Sequence, residues 1–197
     1  GRQARCTGTN PIVCGLQNRL GVIMSNLINA VDALQCGLED FETGTEPRLK
    51  SSIRNIHAGI LLLFKEKLSR LSGTDTDEAL IKERVVPELV GSTIIWKGKG
   101  KKTVDVQSIQ ERFSSLRIVV NWKPFDSING IRNEIEHYYT KVTVKTIQEI
   151  IAKSFILVKD FMSVHLGVDP KEHFTEEAWS TFIGAEEVYE REKAECA

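Results

Sequence analysis

The chain has 197 residues, and its 26 Lys and Arg stand against 27 Asp and Glu, for a formal charge of −1. With 41% hydrophobic and 27% charged residues it can build a sizeable core under a solvated surface, which excludes disordered and collagen-like classes. Its longest apolar run, the one that holds Gly59 to Phe64, is far short of the roughly 18 residues of a membrane helix, and balanced charge excludes a nucleic-acid coat while leaving room for one local basic patch.

No secretory leader is expected from the amino end, which reads GRQARCTGTNPIVCG. Residues 1–15 are expected to be a flexible segment ahead of the fold. From Leu16 to Phe41 apolar residues recur at 16, 20, 23, 27, 30, 34, 38 and 41, steps of three and four that predict one long helix. Thr43 to Pro47 break that pattern. A second helix is expected from about Ser51 or Ser52 to Leu71, with Ile53, Ile56, Ile60, Leu63, Phe64, Leu68 and Leu71 buried. Lys65 and Glu66 read as a solvated face. Residues 93–104 carry β-branched residues on either side of Lys97 to Lys102, which suggests a small hairpin or an ordered loop with those lysines at its tip. Asp105 is placed to cap a short helix carrying Val106, Ile109 and Phe113. Leu116 to Val120 reads equally as a helical turn or a short strand.

Pro124 closes a connection, and Asp126 or Ser127 is the expected N-cap of a helix running to about Tyr139. A last long helix spans Lys145 to Leu166, ended by Gly167 and Pro170. Thr175 to Ala194 forms an amphipathic segment with Trp179, Phe182, Ile183 and Tyr189 on one side, and its acidic run at 186–195 is a charged helix face. The expected fold is all-α: an antiparallel helical bundle over residues 16–166, with one small β or irregular insertion around 93–104 and a helical extension over 167–197.

Four cysteines (6, 14, 36 and 196) are too sparse for a disulfide scaffold, and no Cys-x-x-Cys pair exists. The histidines at 57, 137, 165 and 173 are equally scattered, so a metal site has no motif behind it. Reduced thiols and a cytoplasmic location are the expectation. Dinucleotide, P-loop, zinc-protease and nucleophile-elbow signatures are all absent; KGKGKKT lacks the phosphate-loop spacing. The segment that holds chemistry is Ile128 to Tyr139. At about 100° per residue, Ile128, Ile131, Ile135 and Tyr138 should face the core. Arg132, Asn133, Glu136 and His137 then share a polar face, on which Arg132 and His137 stand about 140° apart. They cannot stack on each other, but they can flank one cleft that a second copy of the helix completes.

Arg132, a polar residue directly after it (Asn133), and His137 beyond an interval of four to six residues resemble the motif of the HEPN superfamily (higher eukaryotes and prokaryotes nucleotide-binding). The motif also sits near the carboxyl side of the predicted bundle, and IRNIHAGILLLFKEKL at 53–68 looks like the second helix of many such domains. The likeness covers residues 16–166 in organisation. It implies a metal-independent endoribonuclease without a cofactor, active as a homodimer with two Arg/His sets in one cleft. His137 would be the general base or acid, Arg132 the phosphate clamp, and Asn133 a positioning group. The product would be a 2′,3′-cyclic phosphate. A toxin or an antiviral abortive-infection effector is implied, with an antitoxin or sensor protein as partner and no membrane. Tyr139 extends the motif to His-x-Tyr, as in toxin members whose tyrosine is modified by a nucleotidyltransferase antitoxin.

Plainer readings stand beside these. Arg132 and Glu136, at i and i+4, make an ordinary surface ion pair, and His137 reads as a solvent-facing histidine in a non-catalytic helical module that binds a nucleotide or protein. Arg54-Asn55-Ile56-His57 has too short a spacing for the motif, so His57 reads as a structural histidine, with support beside the cleft as the alternative. Trp96, Lys97, Lys99, Lys101 and Lys102 suggest an RNA phosphate grip with one stacking platform. Their alternative is a solvated turn whose Trp packs on the bundle.

Overall fold

The computed structural model describes residues 11–138 and 143–195, with α1 side chains from Asn26 onward. Expectations for the first ten residues and for Tyr139 lie outside the described residues. The chain is mostly helical: α1 (Pro11–Thr43), α2 (Glu46–Leu71), α3 (Val106–Ser115), α4 (Trp122–His137), α5 (Val144–Asp160) and α6 (Glu176–Glu195), with one antiparallel ribbon of β1 (Lys82–Val90) and β2 (Thr93–Thr103).

The first two helices fold back on each other across a two-residue link and pack along their length. Gly59 lets them approach closely, since a Cβ there would lie 2.6 Å from the Leu34 side chain and 2.9 Å from the Ala30 carbonyl. α2 begins five or six residues earlier than the Thr43–Pro47 break suggests. Pro47 lies in its first turn, where the missing N–H was not needed for a helical hydrogen bond. The same holds for Pro124. α4 starts at Trp122 with Asn121 as its N-cap, not at Asp126 or Ser127. Asp105 caps α3 as its position suggests, accepting from Ser108 N–H at 2.8 Å.

Phe64 of α2 stands at the middle of the core. Its ring meets Phe113, Trp122, Phe125 and Phe161 at centroid distances between 4.9 and 5.6 Å, all edge-on. Those four rings come from α3, both ends of α4's first turn, and the end of α5, so one residue ties four segments together. α5 continues into a π-helical turn, Phe161–Leu166. Its last carbonyls receive Lys67 Nζ at His165 O and Arg70 Nη1 at Leu166 O, both at 2.7 Å. Arg70 is held by Glu66, whose side chain is fully buried and not part of a solvated face. Burial raises the Glu66 carboxyl above its usual range, with Arg70 opposing. The final helix docks on the bundle, with Phe182 stacked on Phe155 at 5.0 Å and Trp179 edge-on to the same ring.

The ribbon differs from the expected insertion. It spans Lys82 to Thr103, and its two-residue turn is Gly91–Ser92, so the lysines lie along β2 and not at a tip. It is fastened at its base. Arg112 of α3 donates to the carbonyls of Ala79, Leu80 and Lys82, and Lys65 reaches Thr103 Oγ1 at 3.0 Å. Beyond that base the strands project with little cover, leaving Leu89, Ile94 and Trp96 more than half exposed. Among the described residues no helix is long and apolar enough to cross a membrane.

Candidate functional site

The core face of α4 begins as its periodicity requires. Phe125 and Ile128 are fully buried, and Ile131 and Ile135 pack against the core at partial exposure. Tyr138 does not follow. The helix ends at His137, and Tyr138 turns into extended backbone with its side chain 75% exposed. A residue past the last helical turn no longer obeys the helical period, so its ring leaves the stripe.

On the polar side, Arg132 Nη2 lies 2.7 Å from Glu136 Oε2, and Arg132 Nη1 donates to Asn133 Oδ1 at 3.0 Å. The i, i+4 ion pair is therefore present, and it occupies part of the arginine that the motif singles out. His137 is exposed and makes no hydrogen bond or ion pair among the described residues. Arg132, Asn133, Glu136 and His137 thus share one accessible end of α4. Three of them are linked, and the histidine stands beside them uncommitted.

The second helix completes this patch. Arg54 Nε lies 3.9 Å from Glu136 Oε1, so the two oxygens of one carboxylate face guanidiniums from two helices. One turn further along α2, His57 is buried against Phe125, ring on ring at 5.2 Å, with Nε2 3.1 Å from Asn129 Oδ1. An amide oxygen only accepts, so Nε2 carries the proton and Nδ1 the lone pair. Burial pushes the His57 pKa below its ordinary 6.5. The Asn129 hydrogen bond opposes that shift, and the nearby charges of Arg132 and Glu136 act in opposite senses. The stretch Arg54 to His57 therefore belongs to the same patch as the motif, His57 as a satisfied, buried histidine beneath it. Sequence reasoning misses Arg54 and Asn129 as members of the site. Their signal is spacing, since Arg54 and His57, like Asn129, Arg132 and Glu136, are three or four apart on one helical face. Which face of α2 meets α4 is a tertiary fact that no spacing contains.

On the ribbon, alternation separates what adjacency in sequence joins. The register pairs Pro87 with Trp96 and Leu89 with Ile94, placing them with Val85 and Gly98 on one face. The opposite face carries Arg84 against Lys99, Val86 against Lys97, and Glu88. Trp96 and the Lys97/Lys99 pair consequently point apart, and Trp96 packs neither on the bundle nor beside the lysines. Lys97 is bound by Glu88 and Lys102 by Glu83, each at 2.9 Å. Arg84, Lys99 and Lys101 have no ion-pair partner among the described residues. Gly98 is required where it stands, because a Cβ would lie 2.4 Å from the Asp77 carbonyl that crosses over the strand.

A cleft of about 420 Å³ between the 119–124 segment and the end of α5 is lined by Val119, Asn121, Phe161 and His165 and contains none of the motif residues. Among the described residues no group of three or more His, Cys, Asp or Glu is arranged to hold a metal ion. No family model matches the chain, and no curated protein or solved structure matches it.

Proposed function

We propose that the chain is a metal-independent endoribonuclease of the HEPN type, whose site is the exposed end of α4 and is completed by a second copy of the chain. The observation that carries this reading is the accessible cluster of Arg132, Asn133 and an uncommitted His137 within two turns of one helix. In the proposed reaction the ribose 2′-oxygen attacks phosphorus as the P–O5′ bond breaks. A neutral His137 takes the 2′-hydroxyl proton, and the second copy's histidine, protonated, delivers one to the departing 5′-oxygen. Arg132 faces the extra negative charge that develops on the phosphate oxygens. The products are a 2′,3′-cyclic phosphate and a 5′-hydroxyl. In this reading the free cations of the ribbon, Arg84, Lys99 and Lys101, contact the RNA backbone outside the cleavage site, and a cellular toxin or antiviral effector role requires a restraining or triggering protein.

Incubation of RNA with the chain in excess EDTA tests the proposal. Cleavage to cyclic-phosphate ends is expected, with a loss of about 10²-fold or more on His137→Ala and a comparable loss on Arg132→Ala. Equal background from all three folded proteins would remove the nuclease reading. One observation favours the alternative, a non-catalytic module that binds a nucleotide or protein: Arg132 is held by Glu136 in an ordinary helical ion pair. On that reading His137→Ala changes neither cleavage nor stability.

A further inference from the structure

We propose that α2 and α4 together form a phosphate-binding site made by Arg54 and Arg132, and that Glu136 occupies this site in the free chain as an internal substitute for the phosphate. The role of the site in cleavage rests on the function proposed above; the binding itself does not. The anion already at the site is the Glu136 carboxylate. Its two oxygens face two guanidiniums that come from different helices, at 2.7 Å and 3.9 Å. That is the arrangement the non-bridging oxygens of a phosphate would adopt between two arginines, since a guanidinium matches both anions in the same planar fashion.

The site is cationic when Glu136 is displaced. Arg54 and Arg132 supply two charges, and burial keeps His57, one turn away, neutral at pH 7. Donor capacity is left over as well. Arg132 commits one nitrogen to Glu136 and another to Asn133, while Arg54 at 3.9 Å has charge contact but no hydrogen bond to the carboxylate. Both arginines remain reachable, with 47% of the Arg54 side chain and 34% of the Arg132 side chain exposed. Beneath them, the stack of His57 on Phe125 and its bond to Asn129 fix how far α2 stands from α4. The two guanidiniums are therefore spaced by the core and not by each other. Finally, the internal anion is weakly held. A helical ion pair still about one-third exposed is a small barrier, so a phosphate with better geometry can replace it.

The test is binding by the full chain at low ionic strength. Two probes are used: inorganic phosphate, and a short single-stranded oligoribonucleotide made uncleavable by 2′-O-methylation. Variants are Glu136→Gln, Arg54→Gln and the double change, with thermal melts confirming that each is folded. Glu136→Gln is expected to tighten oligonucleotide binding about two- to fivefold by freeing both arginines. Arg54→Gln is expected to weaken it about threefold or more, and to reduce the gain from Glu136→Gln in the double variant, because the two residues act through one site. Parallel changes with inorganic phosphate identify an isolated oxyanion as sufficient; changes with the oligonucleotide alone identify the nucleic-acid backbone as the source. The proposal is overturned if Glu136→Gln leaves binding unchanged or weakens it, if Arg54→Gln is silent, or if neither probe binds. Because the probe cannot be cleaved, this outcome is independent of catalysis. RNA cleavage lost on His137→Ala together with silent Arg54 and Glu136 variants would leave the nuclease reading and sink this one. The binding pattern without any cleavage would do the reverse.

Discussion

The seam between α2 and α4 and the projecting ribbon both gather cationic and ring-bearing side chains, yet they treat sequence neighbours in opposite ways. On the seam, residues three and four apart share a face: Arg132 pairs with Glu136, while Arg54 and His57 both turn to α4, through Glu136 and Asn129. On the ribbon, residues next to each other part. Trp96 goes to one face and Lys97 to the other, and Arg84 and Lys99 are left side by side with like charge and no counter-ion among the described residues. The two regions also differ in what supports them. The seam lies directly over Phe125 and Phe64 in the core, whereas the ribbon is tied at its base by Arg112 and midway along β2 by Gly98 N–H to the Thr76 carbonyl.

The largest effect that sharpens this contrast comes from Phe125→Ala. The ring is fully buried and touches His57, Phe64 and Trp122. Its removal is expected to cost about 3–5 kcal/mol of global stability, read as a lowered urea midpoint with an unchanged slope, and to loosen the seam with it. Arg112→Ala should act next most strongly and elsewhere. Losing a charged donor that serves three carbonyls at the ribbon base is expected to cost about 1.5–3 kcal/mol. Hydrogen exchange is expected to quicken in β1 and β2 well before the core amides of α2 and α5 respond. Uniform acceleration across the chain would mean that the ribbon is part of the same cooperative unit as the bundle.

Much of the helical fold is legible in the sequence because its apolar stripes are long and regular; Ile53, Ile56, Ile60 and Leu68 are all fully buried where the period puts them. The departures share physical causes. Pro47 and Pro124 look like breaks, but a first-turn proline costs a helix nothing, so α2 and α4 start earlier than the punctuation suggests. Tyr138 falls in the core only if the period is extended past the point where the helix ends. Glu66 reads as solvent-facing because it is charged, and only its contact with Arg70, which in turn reaches the carbonyl of Leu166, makes its burial intelligible. At the site, the residues on α4 are legible as a group. The contribution of Arg54 and the burial of His57 depend on which face of α2 turns toward α4, and the lysine-rich strand does not reveal its turn because Gly91–Ser92 lies outside the basic run.

The seam and the ribbon are expected to respond differently to pH. Burial holds the folded-state pKa of His57 below its ordinary 6.5, so the unfolded chain binds this proton more readily than the folded one. The stability contributed by neutral His57 is complete above about pH 6.5 and is lost as pH falls through the depressed folded value. His57→Gln keeps a donor for Asn129 Oδ1 without a titrating ring. It is expected to flatten the fall in melting temperature between about pH 7.5 and 5, a window in which the ribbon's lysines do not change charge. If the profiles of the wild type and the His57→Gln variant run parallel, His57 is not the group that couples the seam to pH.

The smallest stability effect is expected at Trp96. Its ring is 58% exposed on the uncharged face of the ribbon and packs on no helix, so Trp96→Ala should shift stability by less than about 0.5 kcal/mol. What it does to RNA binding depends on the face that the strand uses. Contacts made by Arg84 and Lys99 release counter-ions, so replacing both by Ala should lower affinity and reduce the slope of log affinity against log salt by about 1.4 for single-stranded RNA. A stacking contact releases none, so Trp96→Ala should leave that slope unchanged whatever it does to affinity. Salt titrations of the wild type, the Trp96 variant and the double cation variant therefore report the two faces separately. A slope that falls with Trp96→Ala would mean the indole holds the lysines in place, and that the strand's alternation does not separate them after all.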